Sequence, residues 1–131
     1  MENLNSSTTR GKGRWYEGRA EEYLQKRGYS TLQKNYLYGK YESDLIMQKE
    51  NTLVFIEVKY RKNDLYGKPY LFLSKRQKLN IITASVGFIR SNFQYRDCIY
   101  RFDVVSICGN NEVEHYPNAF SIDEFGFIKA L

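Results

Sequence analysis

Four side chains at short, regular spacing could do chemistry. Glu42-Ser43-Asp44 sets two carboxylates two residues apart, and Glu57-Val58-Lys59 sets a carboxylate and an amine at the same spacing. Alternate residues of a strand share a face, so each pair would point one way. The link between the two segments, Lys49-Glu50-Asn51-Thr52, is short and polar. If it closes a tight hairpin centred on Glu50-Asn51, Asp44 faces Glu57 and Glu42 faces Lys59. Directly opposed Cβ atoms lie roughly 4.5–5.5 Å apart, and like charges that close destabilise a sheet. A shared proton, the neighbouring Lys59, or a hard divalent cation held by carboxylate oxygens would each relieve the repulsion. The flanking Leu45, Ile46, Val54, Ile56 and Val58 suggest buried strands, where water is a poor remedy. A plainer arrangement, a strand surface with a Glu42–Lys59 ion pair and Asp44 exposed, fits the spacing equally well.

The composition narrows the chemistry further. The chain has 131 residues, enough for one domain with one sizeable core. Hydrophobic residues make up 42% and there are only 2 prolines, which argues against disorder. A single histidine nearly excludes poly-His zinc sites and makes Ser-His-Asp or Cys-His triads a poor fit. The two cysteines, Cys98 and Cys108, form no CxxC and read as reduced thiols near strands. Catalysis would therefore fall to carboxylates, lysine, or a metal held by oxygen. No apolar run approaches a membrane span, and the N-terminus MENLNSSTTRGKGR has no apolar signal core. A cytoplasmic location and no membrane contact are expected by default.

The net charge of +5 is unevenly spread: residues 1–102 carry +9 and residues 103–131 carry −4. Between 59 and 78 lie Lys59, Arg61, Lys62, Lys68, Lys75, Arg76 and Lys78, opposed only by Asp64. Tyr60, Tyr66, Tyr70 and Phe72 are interleaved with them. Cations among aromatics suit phosphate contact and base stacking. A solvated loop and helix start would show the same residues.

The elements that must position these groups follow from periodicity. Residues 1–10 are polar and aperiodic and read as a tail. From Arg14 to Arg27 the spacing predicts a helix, with Tyr16, Ala20, Tyr23, Leu24 and Arg27 on one face and Gly28 ending it. Strands are expected over 30–38, 41–48 and 52–61, then a loop to Leu73. Ser74-Lys75-Arg76-Gln77 is a capping box before a helix to about Arg90, with Leu79, Ile82, Val86 and Ile89 as its apolar stripe. A strand over 100–108 would place Phe102, Val104 and Ser106 on one face and Asp103, Val105 and Ile107 on the other. Gly109-Asn110-Asn111 signals a turn into a short strand over 112–116. Residues 118–131 could pack but show no period. The expected class is α/β (α+β), a central sheet flanked by helices in the order α-β-β-β-α-β-β.

With these segments in order, the chain resembles the YraN-like family of small bacterial proteins, within the PD-(D/E)xK nuclease fold. The resemblance rests on Gly13-Arg14-Trp15-Tyr16-Glu17 with Ala20, Tyr23 and Leu24, then Gly28-Tyr29 and Asn35. It continues through Glu42-Ser43-Asp44-Leu45-Ile46, Phe55-Ile56-Glu57-Val58-Lys59-Tyr60-Arg61, Arg101-Phe102-Asp103-Val104-Val105 and Asn118-Ala119-Phe120. Each motif alone is weak, but six in order are specific. Tyr16 and Tyr41 stand where the family usually has Gly, and Ser43 replaces an apolar residue.

The resemblance implies a restriction endonuclease-like αβββαβ core over residues 11–120, with 121–131 as an extension packing on it. It implies a metal-dependent nuclease acting on DNA, including branched or single-stranded forms. A non-catalytic nucleic-acid-binding module of the same fold is the alternative. Asp44 and Glu57 would ligate Mg2+ or Mn2+ with the Val58 carbonyl as a third ligand, and Lys59 would position or deprotonate the attacking water. Glu17 would complete the site from the first helix; on spacing alone it reads as a surface partner of Arg14. Glu42 would support Lys59, and Gln77 lies where related nucleases place a polar side chain, although its capping role suffices to explain it. Arg61, Lys62, Lys68, Lys75, Arg76 and Lys78 would contact the nucleic acid, and a homodimer is a further expectation. Asp103 reads as a structural strand-end carboxylate, His115 as a solvated or satisfied histidine, and Trp15 as a core residue in preference to one that stacks on a base.

Overall fold

The computed structural model describes residues 9–62 and 73–125. Within them, helix α1 (Thr9–Gln25) precedes strands β1 (Ser30–Tyr38), β2 (Tyr41–Lys49) and β3 (Thr52–Arg61). Helix α2 (Lys75–Ser91), strands β4 (Ile99–Cys108) and β5 (Val113–Phe120), and two short 3-10 turns (Phe93–Tyr95 and Ile122–Phe125) follow. The five strands form one mixed sheet in the order β1-β2-β3-β4-β5. All neighbours are antiparallel except β3 and β4, which run parallel because the chain crosses over through α2 between them. This is the expected α+β arrangement.

Period-2 patterning decides which face each residue takes. Leu53 and Phe55 of β3 and Phe102 and Val104 of β4 pack with Ile81, Ile82 and Phe88 of α2. Leu45 and Met47, Val54 and Ile56, and Val105 and Ile107 pack on the other face with Ala20 and Leu24 of α1. The helices thus cover opposite faces, and β3, buried on both, reads as an unbroken apolar run. Burying side chains such as Phe55, fully excluded from solvent, contributes roughly 2–3 kcal/mol each.

Several boundaries differ from the sequence reading. Helix α1 begins at Thr9, not Arg14, and stops at Gln25, with Gly28 in the left-handed region at φ 95°. Arg27 therefore lies beyond the helix, its guanidinium over the Tyr23 ring at 3.5 Å. The buried stripe of α2 centres on Ile81, Ile82, Ala84, Ser85 and Phe88, so Leu79 is only half-buried. Strand β5 runs on to Phe120, which stacks on Phe102 at 5.1 Å and so draws Asn118–Phe120 into the sheet. The Ser74 capping box forms as expected: Gln77 N–H donates to Ser74 Oγ at 3.0 Å, and Ser74 N–H donates to Gln77 Oε1 at 2.8 Å. The anticipated tail largely precedes the described residues, and most of the loop after Lys62 falls outside them. Among the described residues, no helix is long and apolar enough to cross a membrane.

Candidate functional site

The β2–β3 hairpin has the register that its link required: Lys49 pairs with Thr52, and the ladder runs to Leu45–Ile56. There it stops. The next position would oppose Asp44 to Glu57, and the Asp44 side chain takes over from the ladder. Asp44 Oδ2 accepts a hydrogen bond from the Val58 N–H at 3.0 Å. Glu42, one step further out, pairs in register with Leu37 of β1, so the ladder does not oppose it to Lys59. The amine of Lys59 instead lies 3.6 Å from Glu57 Oε2.

Asp44 and Glu57 point to the α2 face and open into a cleft of about 240 Å³. Lys40, Tyr41 and Glu42 close it on the β1–β2 side, and Gln77, Asn80 and Ile81 close it from the start of α2. The two carboxyl groups lie close enough to act on each other's ionisation. Burial pushes Glu57 well above the usual carboxylate range, and the Asp44 charge pushes it further; Lys59 opposes both. Burial likewise raises Asp44, against the pull of the Val58 N–H, Glu57 and Lys59. Both carboxyl groups are thus held above the usual carboxylate range, and Lys59 does not bring either back to it.

Glu17 joins them from α1, and this the local spacing did not favour. Its pKa is raised to about 7, first by burial and then by the Asp44 charge, with Glu42 adding to it. Asn35 hydrogen-bonds one side of the carboxyl and Lys34 draws it down, but Oε1 is buried with no hydrogen-bond partner. Asn35 sits at φ 50° between the pairs Lys34–Leu45 and Tyr36–Ser43, a left-handed kink that Asn tolerates better than most residues.

The donor set suits a hard dication. Three carboxyl groups are each driven toward the neutral form by burial, Glu17 and Glu57 also by the Asp44 charge, and Glu17 Oε1 has no hydrogen-bond partner among the described residues. Among the described residues, no three His, Cys, Asp or Glu side chains make a ready-made cage. Mg2+ typically takes one or two carboxylates and completes its shell with water and phosphate.

The basic residues divide into two groups. Arg61, half-buried, and Lys62, exposed, continue β3 past Lys59. Lys75 and Arg76 are exposed on the first turn of α2, while Lys78 is half-buried with its amine 5.8 Å from the Phe120 ring centre. Lys68 lies outside the described residues. Gln77 both caps α2 and lines the cleft.

Three side chains take places the sequence did not suggest. Asp103 is mid-strand and fully buried, not at a strand end. It accepts from Arg101 Nε at 2.9 Å, Arg101 Nη2 at 2.8 Å and Asn118 N at 2.9 Å, and lies 2.6 Å from His115 Nε2. The histidine is thereby satisfied. Trp15 is 48% exposed, because it falls off the Ala20–Leu24 stripe of α1. Ser106, in register with Lys59 across β3–β4, carries a buried hydroxyl with no hydrogen-bond partner. Only its polarity within a run of Val and Ile hinted at a role beside the lysine.

Residues 16–107 match the uncharacterised protein family UPF0102. A UPF0102 protein of Sulfurihydrogenibium sp. is 37% identical over 113 residues, covering 86% of this chain and 96% of that protein. One from Fusobacterium nucleatum is 36% identical, covering 91% and 98%, and one from Vibrio parahaemolyticus is 38% identical, covering 83% and 91%. The match takes in Glu17, Asp44, Glu57 and Lys59, and the chain belongs to the UPF0102 family of YraN-like proteins.

Proposed function

We propose that the protein is a metal-dependent nuclease that hydrolyses DNA phosphodiester bonds, with branched or single-stranded DNA among its substrates. The observation that carries this reading is the end of the β2–β3 ladder. There Asp44 and Glu57 converge on an open cleft, with Lys59 3.6 Å from Glu57 and a buried Glu17 oxygen that has no hydrogen-bond partner among the described residues. A purely structural ion pair would leave no such excess of buried acid.

Each residue then has a role that its surroundings allow. Asp44 and Glu57, with the Val58 carbonyl, would hold Mg2+ or Mn2+; the bound ion would lower the pKa of a water and neutralise charge on the scissile phosphate. The Val58 N–H fixes the orientation of Asp44. Lys59 keeps a cation beside Glu57, where it can orient the attacking water and meet the charge that grows on the phosphate oxygens. Glu17, with a pKa of about 7, is poised to accept or return a proton near neutrality. Gln77 and Asn80 offer side-chain amides on the α2 wall of the cleft. Helix α2 opens on Lys75, Arg76 and Lys78 and has no acid in its first turn. Cations there oppose the helix dipole, by about 0.3–1 kcal/mol each. A bound polyanion would turn that cost into attraction.

Branched, single-stranded and duplex DNA should be incubated with the protein in Mn2+, in Mg2+ and in chelator. Metal-dependent cleavage that Asp44→Asn and Glu57→Gln abolish is the expected result. Binding without cleavage, unchanged by both substitutions, would leave a non-catalytic nucleic-acid module. If neither binding nor cleavage occurs, the nucleic-acid reading is wrong.

A further inference from the structure

We propose that Trp15, Tyr16 and Tyr60 form a stacking platform for an unpaired base of a single-stranded polynucleotide. The proposal rests on the nuclease reading only in placing the neighbouring phosphate at the carboxylate cleft.

The platform joins the two segments that carry the candidate site. Tyr16 immediately precedes Glu17 on α1, and Tyr60 immediately follows Lys59 on β3. Their rings stack with centroids 4.4 Å apart and planes 15° from parallel. The Trp15 indole meets Tyr16 edge-to-face at 4.9 Å. Tyr16 is half-buried, yet Trp15 is 48% and Tyr60 45% exposed. Tyr16 closes one face of Tyr60, so the exposed area of Tyr60 lies on its far face and rim. Large aromatics held rigid by each other and left open to water are poorly explained by core packing.

Charge argues for a polyanion as the occupant. Arg14 immediately precedes Trp15 and Lys62 follows Tyr60 by two residues, whereas Lys59 and Arg61 take the face of β3 opposite Tyr60. Arg14 and Lys62 are exposed. Cations around an aromatic face recognise a phosphate backbone with stacked bases, and stacking is available only where the bases are not paired. Tyr60 and Lys59 point to opposite faces of β3, as successive strand residues do. A strand passing the end of β3 could place a base on one face and a phosphate on the other.

Trp15 is the only tryptophan of the chain, so its fluorescence reports directly on the platform. The full chain is titrated, in chelator and at low salt, with an end-labelled oligothymidylate and with an abasic strand of equal length. Anisotropy of the label measures binding. Oligothymidylate should quench the Trp15 emission and the abasic strand should not. Tyr60→Ala should weaken oligothymidylate binding by about 5- to 100-fold, while Tyr60→Phe should keep it near wild type. Equal quenching by both strands, binding without quenching, or no binding at all would each overturn the platform. Quenching that is specific to bases, without cleavage in Mn2+, would support the platform and refute the nuclease reading alone.

Discussion

Two buried acid clusters sit on opposite faces of the same sheet, and only one is at peace with its surroundings. On the α1 face, Asp103 is fully buried and holds Arg101 in a bidentate pair, with the Asn118 N–H and His115 also against it. Arg101 Nη2 in turn donates to the Tyr29 hydroxyl at 2.7 Å. Burial alone would raise the Asp103 pKa, yet His115, Arg101 and the Asn118 N–H bring it below the usual carboxylate value. On the α2 face, Asp44 and Glu57 are raised, and Glu17 is raised beside them. Burial acts upward in all four. What differs is the supply of donors: Asp103 has several, whereas among the described residues Asp44 accepts from the Val58 N–H and has a second carboxyl group, Glu57, as its neighbour. Satisfied charge builds structure, and unsatisfied charge at an open cleft is chemistry in waiting.

Substitutions should separate the clusters. The largest effect is expected at Asp103→Ala, which empties a fully buried site and leaves the half-buried Arg101 without its carboxylate, and should cost about 3 kcal/mol in a denaturant titration. A loss under 1 kcal/mol would mean that the network is not what holds β4 to β5. Next, Asp44→Asn should lower cleavage by roughly 100- to 1000-fold while thermal stability holds or rises. If stability collapses instead, Asp44 is as structural as Asp103 and the contrast fails. Mn2+ at 100 times its dissociation constant should then stabilise the wild type by about 2.7 kcal/mol in a thermal melt, and Asp44→Asn should erase the gain. An Asp103 variant that still folds should keep it.

The smallest effect is the one that reads the sign of the electrostatics. Glu17 binds its proton more tightly folded, near pH 7, than unfolded, near 4.5. Its ionisation therefore costs stability progressively as pH rises through that window, and fully above it. Glu17→Gln should be close to neutral at pH 4 and stabilising by about 1 kcal/mol at pH 8, a figure reduced because the group is only half-buried. Asp103 should show the opposite sign: its stabilisation is present above the ordinary carboxylate pKa and fades as pH falls through its lowered value. Stability curves of the two variants that bend the same way with pH would contradict the contrast.

Much of the candidate site was legible because strands are regular. The spacing of Glu42, Asp44, Glu57 and Lys59, with a two-residue turn, was enough to set the hairpin register and bring Asp44 to Glu57. It was not enough to place Glu42, because the ladder ends at Leu45–Ile56 and the Asp44 side chain takes the Val58 N–H for itself. Glu17 was invisible to local spacing, since its environment is made by Asn35 and Asp44 from two other strands. Trp15 was misplaced for a related reason: helical periodicity located the stripe of Ala20 and Leu24, but an indole one position aside can only be judged once the sheet is in place.

The sequence by itself determined the elements, the faces of the strands, the capping box and the register of the central hairpin. All of these depend on neighbours a few residues apart. Only the tertiary structure decided which acid is compensated and which is not. Compensation is a property of distance in space: Arg101, His115 and Asn118 converge on Asp103, and among the described residues no comparable set of donors converges on Asp44 and Glu57. Whether a carboxylate's pKa falls or rises in this sheet follows from which donors the fold brings within about 3 Å.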